Sequence, residues 1–447
     1  MKRLEEILRD PVKFCEVFLG FQPTKYQQEL AKLFVENQFI AIRWCRQSGK
    51  TWMISALLLW YALTHPGCHI AVVGPSWRQT KLVIRRINAF LNKLPKWICK
   101  KPKKTIVELA NGSIIEAFPN NPDTIRGPTL HVVYCDEMNF IPNDEEMYDA
   151  ILFTLGTTNG KLVCSSTPWT KDSVFWKIFN DKAFEDFARS HITWRDALEP
   201  NGPLKKQIVE KIKKQYEGDP WRWTREMEAE WAEDINIWLP QSLIVKCIDS
   251  ELEPYEFTDA PQGAFYIGID FGKQQDYSVV AVVEKLGDIY RLVHVHRFPL
   301  KTEYASVIGY VKSLCDRWKT VYAVYADQTG VGEYIIEDMR NSGIPNVTGI
   351  TFTIKTKTDM ATAIKNLMQQ DRFKIYYVPK KGLSDVDIPS ELNIERYELM
   401  KSGQIKFSHP EGTHDDVFWA VCLAVYAAVK QPFTRGLVDT GELRDKV

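Results

Sequence analysis

Two groups of residues in this 447-residue sequence have the types and spacing to do chemistry. The first begins with R-W-C-R-Q-S-G-K-T at 43–51, between a short apolar run and an apolar stretch of helical composition. A phosphate needs converging N–H donors and positive charge, and a loop at a helix N-terminus supplies both. The backbone N–H groups of Arg46, Gln47, Ser48, Gly49, Lys50 and Thr51 would wrap a β-phosphate. Lys50 would neutralise the β/γ oxygens and Thr51 would ligate Mg²⁺. Trp44 stands where the general G-x-x-x-x-G-K-T pattern has glycine. Downstream, V-V-Y-C-D-E (132–137) ends an apolar run in two carboxylates: Asp136 would hold the magnesium through water, and Glu137 would polarise the attacking water. Singly, G-K-T also describes an exposed lysine at a helix start, and a carboxylate pair also describes a solvated turn. The two in this order read as an ATP-hydrolysing site.

The second group is acidic. Asp270 ends Y-I-G-I-D, Asp327 ends V-Y-A-D, and His414-Asp415-Asp416 opens the last apolar helix. Carboxylates at the ends of elements can converge although far apart in sequence. Together they would bind two Mg²⁺ or Mn²⁺ ions, one activating water and one stabilising the leaving oxygen of a phosphodiester. Asp416 is the favoured ligand of its pair, with Asp415 assisting. Each aspartate alone could end a strand, form a turn or cap a helix. His414 either orients or contacts a phosphate or is simply a helix-entry histidine, and Asp276 is either a peripheral ligand or a hairpin residue.

Elements must position these groups. FIAIRW (39–44), IAVVG (70–74), HVVYCDE (131–137) and KLVCSST (161–167) alternate with helical stretches, the rhythm of an α/β fold with a mostly parallel sheet. TIVELANGSIIEAF (105–118) is two alternating runs about Asn111-Gly112, a hairpin signal. From 172 to 236 the sequence reads as helical and rich in Trp, Glu and Lys, with Trp221, Trp223 and Trp231 as lid core. A linker follows, and FYIGID (265–270), YSVVAVVE (277–284), DIYRLVHVHRF (288–298) and TVYAVYAD (320–327) begin a second α/β unit in RNase H-type order. The expected layout is an ATPase domain over 1–171, a helical lid over 172–249, a linker over 250–263, a nuclease domain over 264–432 and a tail over 433–447.

Composition sets the bounds. Hydrophobic residues make up 45% and charged residues 26%, a globular mixture that argues against disorder. Lys+Arg and Asp+Glu both number 57, so the chain is no polycation and any nucleic-acid contact must be local. Candidate contacts are the basic runs KLPKWICKKPKK (93–104) and LKKQIVEKIKK (204–214), with Lys273, Lys355, Lys357, Lys380 and Lys381 on the second unit. Nine scattered cysteines without C-x-x-C support neither a disulfide framework nor a zinc ribbon, and fit a reducing compartment. No apolar run reaches the length of a membrane helix.

C-R-Q-S-G-K-T, V-V-Y-C-D-E, I-R-G (125–127), S-S-T-P (165–168), G-I-D-F-G, D-Q-T-G-V-G (327–332) and H-D-D, in this order, resemble the viral terminase large subunits, the motors that package DNA into capsids. The resemblance implies a RecA-like P-loop ATPase with a lid, then an RNase H-like, resolvase-type nuclease. It implies that Tyr26-Gln27 reads adenine, that Arg46 or Arg126 serves as arginine finger with Arg126 acting in trans, and that Ser165, Ser166 and Thr167 couple hydrolysis to motion. It further implies double-stranded DNA, portal protein, procapsid and small terminase subunit as partners, a pentameric ring, and the host cytoplasm as location. A cellular repair ATPase fused to a resolvase-like nuclease, or an ATPase with a non-catalytic docking domain, would share some of these motifs.

Overall fold

In the computed structural model the residues described are 7–99, 103–233, 236–272, 276–330, 332–378, 386–400 and 404–430. FIAIRW forms strand β1 (Phe39–Trp44), followed by β2 (His69–Val73), β3 (Ile106–Glu108), β4 (Ile114–Ala117), β5 (Val132–Asp136), β6 (Lys161–Ser166) and β7 (Ala188–Ile192). They lie side by side in the order β3-β4-β2-β5-β6-β1-β7. All neighbours are parallel except β3 and β4, the hairpin, whose turn has Gly112 at φ 84° and the Asn111 side chain accepting from the Ser113 N–H at 3.1 Å. Near-continuous apolar runs suit parallel strands because helices cover both faces. Helices α1 (Lys25–Glu36), α2 (Lys50–Thr64) and α3 (Trp77–Leu91) lie in this half, and α2 is buried along most of its length. The topology places β6, which carries Ser165 and Ser166, between β1, which feeds the phosphate loop, and β5, which ends at Asp136.

The stretch 172–236 departs from the helical expectation. After α4 (Asp144–Leu155) and α5 (Val174–Asn180), β7 joins the sheet beside β1, pairing Ile40 with Ala188 through Trp44 with Ile192. Its sequence, ARSHI, is short and polar, as an edge strand is, so apolar patterning does not reveal it. Helix α6 spans Lys206–Gln215, but among the described residues of W-R-W-T-R-E-M-E-A-E-W-A-E-D the helix α7 (Pro220–Glu226) ends at Glu226. The helix stops where other segments take its carbonyls: Glu226 O accepts from the Arg46 N–H at 3.0 Å and Met227 O from the Trp194 N–H at 2.8 Å.

The second unit has β8 (Gln262–Asp270), β9 (Val279–Leu286) and β10 (Ile289–Arg297) as an antiparallel meander, with β11 (Lys319–Asp327) and β12 (Val347–Ile350) added in parallel. The order is β12-β11-β8-β9-β10-β13, where β13 is Phe373–Ile375. Helices α8 (Tyr304–Arg317), α9 (Gly332–Asn341), α10 (Ile354–Gln369) and α11 (Asp416–Lys430) complete it.

The first compact unit runs to Glu253 and the second starts at Pro254, inside the expected linker. Residues 374–398 and 407–413, expected in the nuclease domain, belong instead to the first unit. The first of these segments is tied there by hydrogen bonds that all end on backbone carbonyls: the Ile375 N–H donates to Cys247 O at 2.8 Å, the Ser76 hydroxyl to Tyr377 O at 2.9 Å, and the Asn393 side-chain amide to Leu239 O at 3.0 Å. The expected tail, 433–447, lies outside the described residues.

Candidate active sites

Gly49, at φ 82°, turns the phosphate loop into α2, and Gln47 also takes a left-handed backbone at φ 62°. The loop is braced from beneath. The Ser48 hydroxyl donates to Cys45 O at 2.8 Å, and the Tyr26 hydroxyl donates to Ser48 O at 2.7 Å. Tyr26 is 6% exposed, with its ring edge-on to Trp44 at 4.9 Å, so it offers no open face to a base. Gln27 accepts from the Thr24 N–H at 3.0 Å and presses on the loop, since a Cβ at Gly49 would lie 2.7 Å from its amide nitrogen. Both residues expected to read adenine are thus placed as supports of the phosphate loop. Trp44, in the position glycine takes in the general pattern, is fully buried and donates to the Ser190 hydroxyl on β7 at 2.8 Å.

Lys50 Nζ lies 3.4 Å from Glu137 Oε1. Glu137 Oε2 accepts from the Ser166 hydroxyl at 3.1 Å, the Thr167 N–H at 3.2 Å and the Thr167 hydroxyl at 3.4 Å. One carboxylate therefore joins the phosphate-loop lysine to the S-S-T segment. Burial opposes its ionisation, but Lys50, Arg46 and the Thr167 N–H outweigh burial and hold the Glu137 carboxyl below its usual range. Asp136 is fully buried, and burial, then the charge of Glu137, push its carboxyl up. Its Oδ1 accepts from the Tyr134 hydroxyl at 2.6 Å and the Ser165 hydroxyl at 3.2 Å, and its Oδ2 from the Gln79 amide. The amide oxygen of Gln79 is buried beside Asp136 without a protein partner among the described residues, a surrounding that suits the water shell of a hard cation.

The two arginines differ. Arg46 is ion-paired with Glu226 and, at 3.1 Å, with Asp387, and these charges hold it protonated despite burial. Arg126, just past the short helix Pro122–Ile125, is 53% exposed and, among the described residues, ion-paired with Asp123 at 2.8 Å.

In the second unit the register pairs Ala326 with Ile269, so β11 and β8 end with Asp327 and Asp270 side by side. Helix α11 crosses β8 at Gly268, where a Cβ would stand 2.1 Å from Ala420 O and 2.3 Å from Ala424 N. That glycine lets the helix press onto the strand and brings Asp415 and Asp416 to Asp270. Burial, then the charges of Asp416, Asp327 and Asp415, push the Asp270 carboxyl well above its usual range, with Lys357 opposing. Burial also raises Asp327, against the Thr329 hydroxyl and N–H. Three of the four carboxylates are turned to protein donors. Asp327 accepts from the Thr329 N–H at 2.8 Å, Asp415 from Trp419 Nε1 at 2.8 Å, and Asp416 from the Tyr277 N–H at 3.1 Å. Accordingly, among the described residues no three His, Cys, Asp or Glu side chains close into a ready cage. The donor set nonetheless fits a hard divalent cation, which would relieve the mutual repulsion of four carboxylates at one sheet end. His414 Nδ1 lies 3.8 Å from Asp276 and 3.9 Å from Asp416, so both belong to this neighbourhood.

Motif spacing does not reveal several members of these sites. Tyr134 had a signal, since it shares a strand face with Asp136 at a spacing of two. Trp419 also had one, four residues after Asp415 on the last apolar helix, whereas Gln79, Glu226 and Asp387 had none. Trp223 packs on Trp194 and Trp231 on Phe175 and Phe179, while Trp221 is 38% exposed. Lys273, Lys380, Lys381 and positions 100–102 of the first basic run lie outside the described residues.

A phosphate-loop ATPase half followed by an RNase H-like half defines a class of two-activity enzyme. Comparison with protein families supplies the rest: residues 44–246 match the N-terminal domain of terminase large subunits of the T4-like virus type, and 267–428 match the terminase RNase H-like domain. The chain belongs to the terminase large subunits, the packaging ATPases and nucleases of phages. It is 24% identical over 475 positions to the terminase large subunits of Thermus virus P23-45 and Thermus phage G20c, spanning 95% of this chain and 90% of each relative. Among solved structures, the large terminase of thermophilic bacteriophage D6E matches at 15% identity and TM-score 0.45, over 91% of this chain and 99% of that one. The magnesium-bound large terminase nuclease of phage G20c matches at 26% identity and TM-score 0.35, over 43% of this chain and 98% of that one.

Proposed function

We propose that this chain pumps double-stranded DNA into a procapsid by ATP hydrolysis at the Lys50–Glu137 site and cuts concatemeric DNA at the Asp270 centre. The observation that carries the motor reading is Glu137, which touches both Lys50 and the Ser166–Thr167 segment. In our reading, phosphate arriving at Lys50 competes with Glu137, freeing the carboxylate to orient water. The same release loosens Thr167 and passes the event into β6. Thr51 and, through water, Asp136 would hold the Mg²⁺ that neutralises the phosphates. Arg126, exposed, is the finger offered to a neighbouring subunit, and Arg46 acts in cis.

At the nuclease centre Asp270, Asp327, Asp415 and Asp416 would hold two Mg²⁺ or Mn²⁺ ions, which supply water activation and leaving-oxygen stabilisation. The remaining partners in this reading are a portal, a small terminase subunit and copies of this chain in a ring of five, in the host cytoplasm. Among the described residues no helix is long and apolar enough to cross a membrane. Glu137→Ala is expected to abolish ATP turnover and leave plasmid cutting intact. Loss of both in correctly folded protein would contradict two independent sites.

A further inference from the structure

The carboxylates of the nuclease centre are not left to repel one another unopposed. Lys357, half-buried on α10, places its ammonium 4.3 Å from the centroid of the Trp419 ring and 5.3 Å from that of Phe352. Trp419 is fully buried on the first turns of α11, and its indole N–H is the donor that holds Asp415 at 2.8 Å. One indole thus binds an aspartate by its edge and a lysine by its face. A cation on an aromatic face is fixed in position while keeping its charge. The charge of Lys357 acts on both Asp270 and Asp327, the two strand-end carboxylates.

We propose that Lys357, seated on Trp419, is the built-in counter-cation of the nuclease centre, a positioning residue that holds the carboxylates together before metal arrives and competes with the metal for them. The proposal rests on the reading of Asp270, Asp327, Asp415 and Asp416 as the metal site. Its consequence is counterintuitive for a lysine in an active site: removing it should tighten metal binding. A fixed positive charge within Coulombic reach of a divalent ion lowers that ion's affinity. Without the lysine the centre should also cut more slowly, because the carboxylates are no longer gathered.

The test is Mn²⁺ binding to the full chain without nucleotide, read as free Mn²⁺ by electron paramagnetic resonance, alongside plasmid cleavage. Lys357→Gln removes the charge and keeps a stem that packs on the indole. Lys357→Arg keeps charge and cation–π contact. Lys319→Gln makes the same charge change at the far end of β11. We expect Lys357→Gln to bind Mn²⁺ about tenfold tighter, with a lower cleavage rate at saturating metal, and Lys357→Arg and Lys319→Gln to bind as wild type does. Unchanged or weaker binding in Lys357→Gln, or equal tightening in Lys319→Gln, would overturn the proposal. Asp270→Asn separates the two readings: if it leaves Mn²⁺ binding intact, the metal site itself is misassigned. If it abolishes binding while Lys357→Gln behaves as wild type, only the counter-cation is wrong.

Discussion

Glu137 sits in a left-handed backbone at φ 51°, a conformation a non-glycine residue holds only when its surroundings impose it. Here they do: Lys50 on one carboxylate oxygen and Ser166 and Thr167 on the other fix both backbone and side chain. Glu137→Gln should therefore lower ATP turnover by roughly 10²–10⁴-fold, the span of general-base catalysis, with near-normal nucleotide binding. Steady-state ATPase assays and equilibrium binding of a fluorescent nucleotide check this. Tyr26 makes a contrasting case. If it braces the loop, Tyr26→Phe loses a buried hydrogen bond, about 1 kcal/mol, and weakens ATP and GTP alike. A selective loss of ATP over GTP would instead restore an adenine-reading role. Motifs named Lys50, Asp136 and Glu137, because phosphate chemistry demands fixed residue types at fixed places. They did not name Gln79 or Asp387, because a supporting hydrogen bond can come from any element that folding brings near.

At the scale of elements, the strands that end in the proposed site residues were legible and their neighbours less so. β1, β5, β6 and β8 are long apolar runs, whereas β7 is a polar edge and α7 stops where Arg46 and Trp194 claim its last carbonyls. Gly268 shows what spacing cannot tell: Y-I-G-I-D reads as a strand, but nothing in it says that a helix will press on the glycine. Gly268→Ala puts a methyl 2.1 Å from Ala420 O, an overpacking expected to cost about 1–3 kcal/mol or more and to weaken nuclease activity without touching ATP turnover. Differential scanning calorimetry with both activity assays would detect it.

A pH effect belongs to the pair α4 and α5. Asp144 starts α4 and accepts from the Val174 N–H, and burial pushes its carboxyl up to about 6. A pKa raised on folding means the folded state binds the proton more tightly, so this group's contribution to stability is full at low pH and is lost as pH rises toward 6. Asp144→Asn keeps an acceptor without the charge. The thermal stability gap between variant and wild type should open from about pH 4 to pH 6, reaching at most about 3 kcal/mol, and then stay constant. A gap independent of pH would refute this.

For the whole molecule, one chain carries two sites in two compact units, the first running to Glu253 and the second starting at Pro254. The return of 374–398 to the first unit is not legible in the sequence, because a backbone bond from Ile375 to Cys247 O and a Ser76 hydroxyl on Tyr377 O call for no residue type at 375 or 377. In a ring, Arg126→Ala and Lys50→Ala subunits should together regain ATPase activity, since each supplies what the other lacks. Mixed rings without recovery would argue against a finger in trans. The most direct measurement is plasmid cleavage in Mg²⁺ and in Mn²⁺ by wild type and by Asp270→Ala of verified fold, with ATP turnover followed in the same samples. We expect metal-dependent cutting by wild type, its loss in Asp270→Ala, and unchanged ATP turnover in both. Cutting that survives in Asp270→Ala, or ATP turnover lost with it, would contradict two separate sites in one chain.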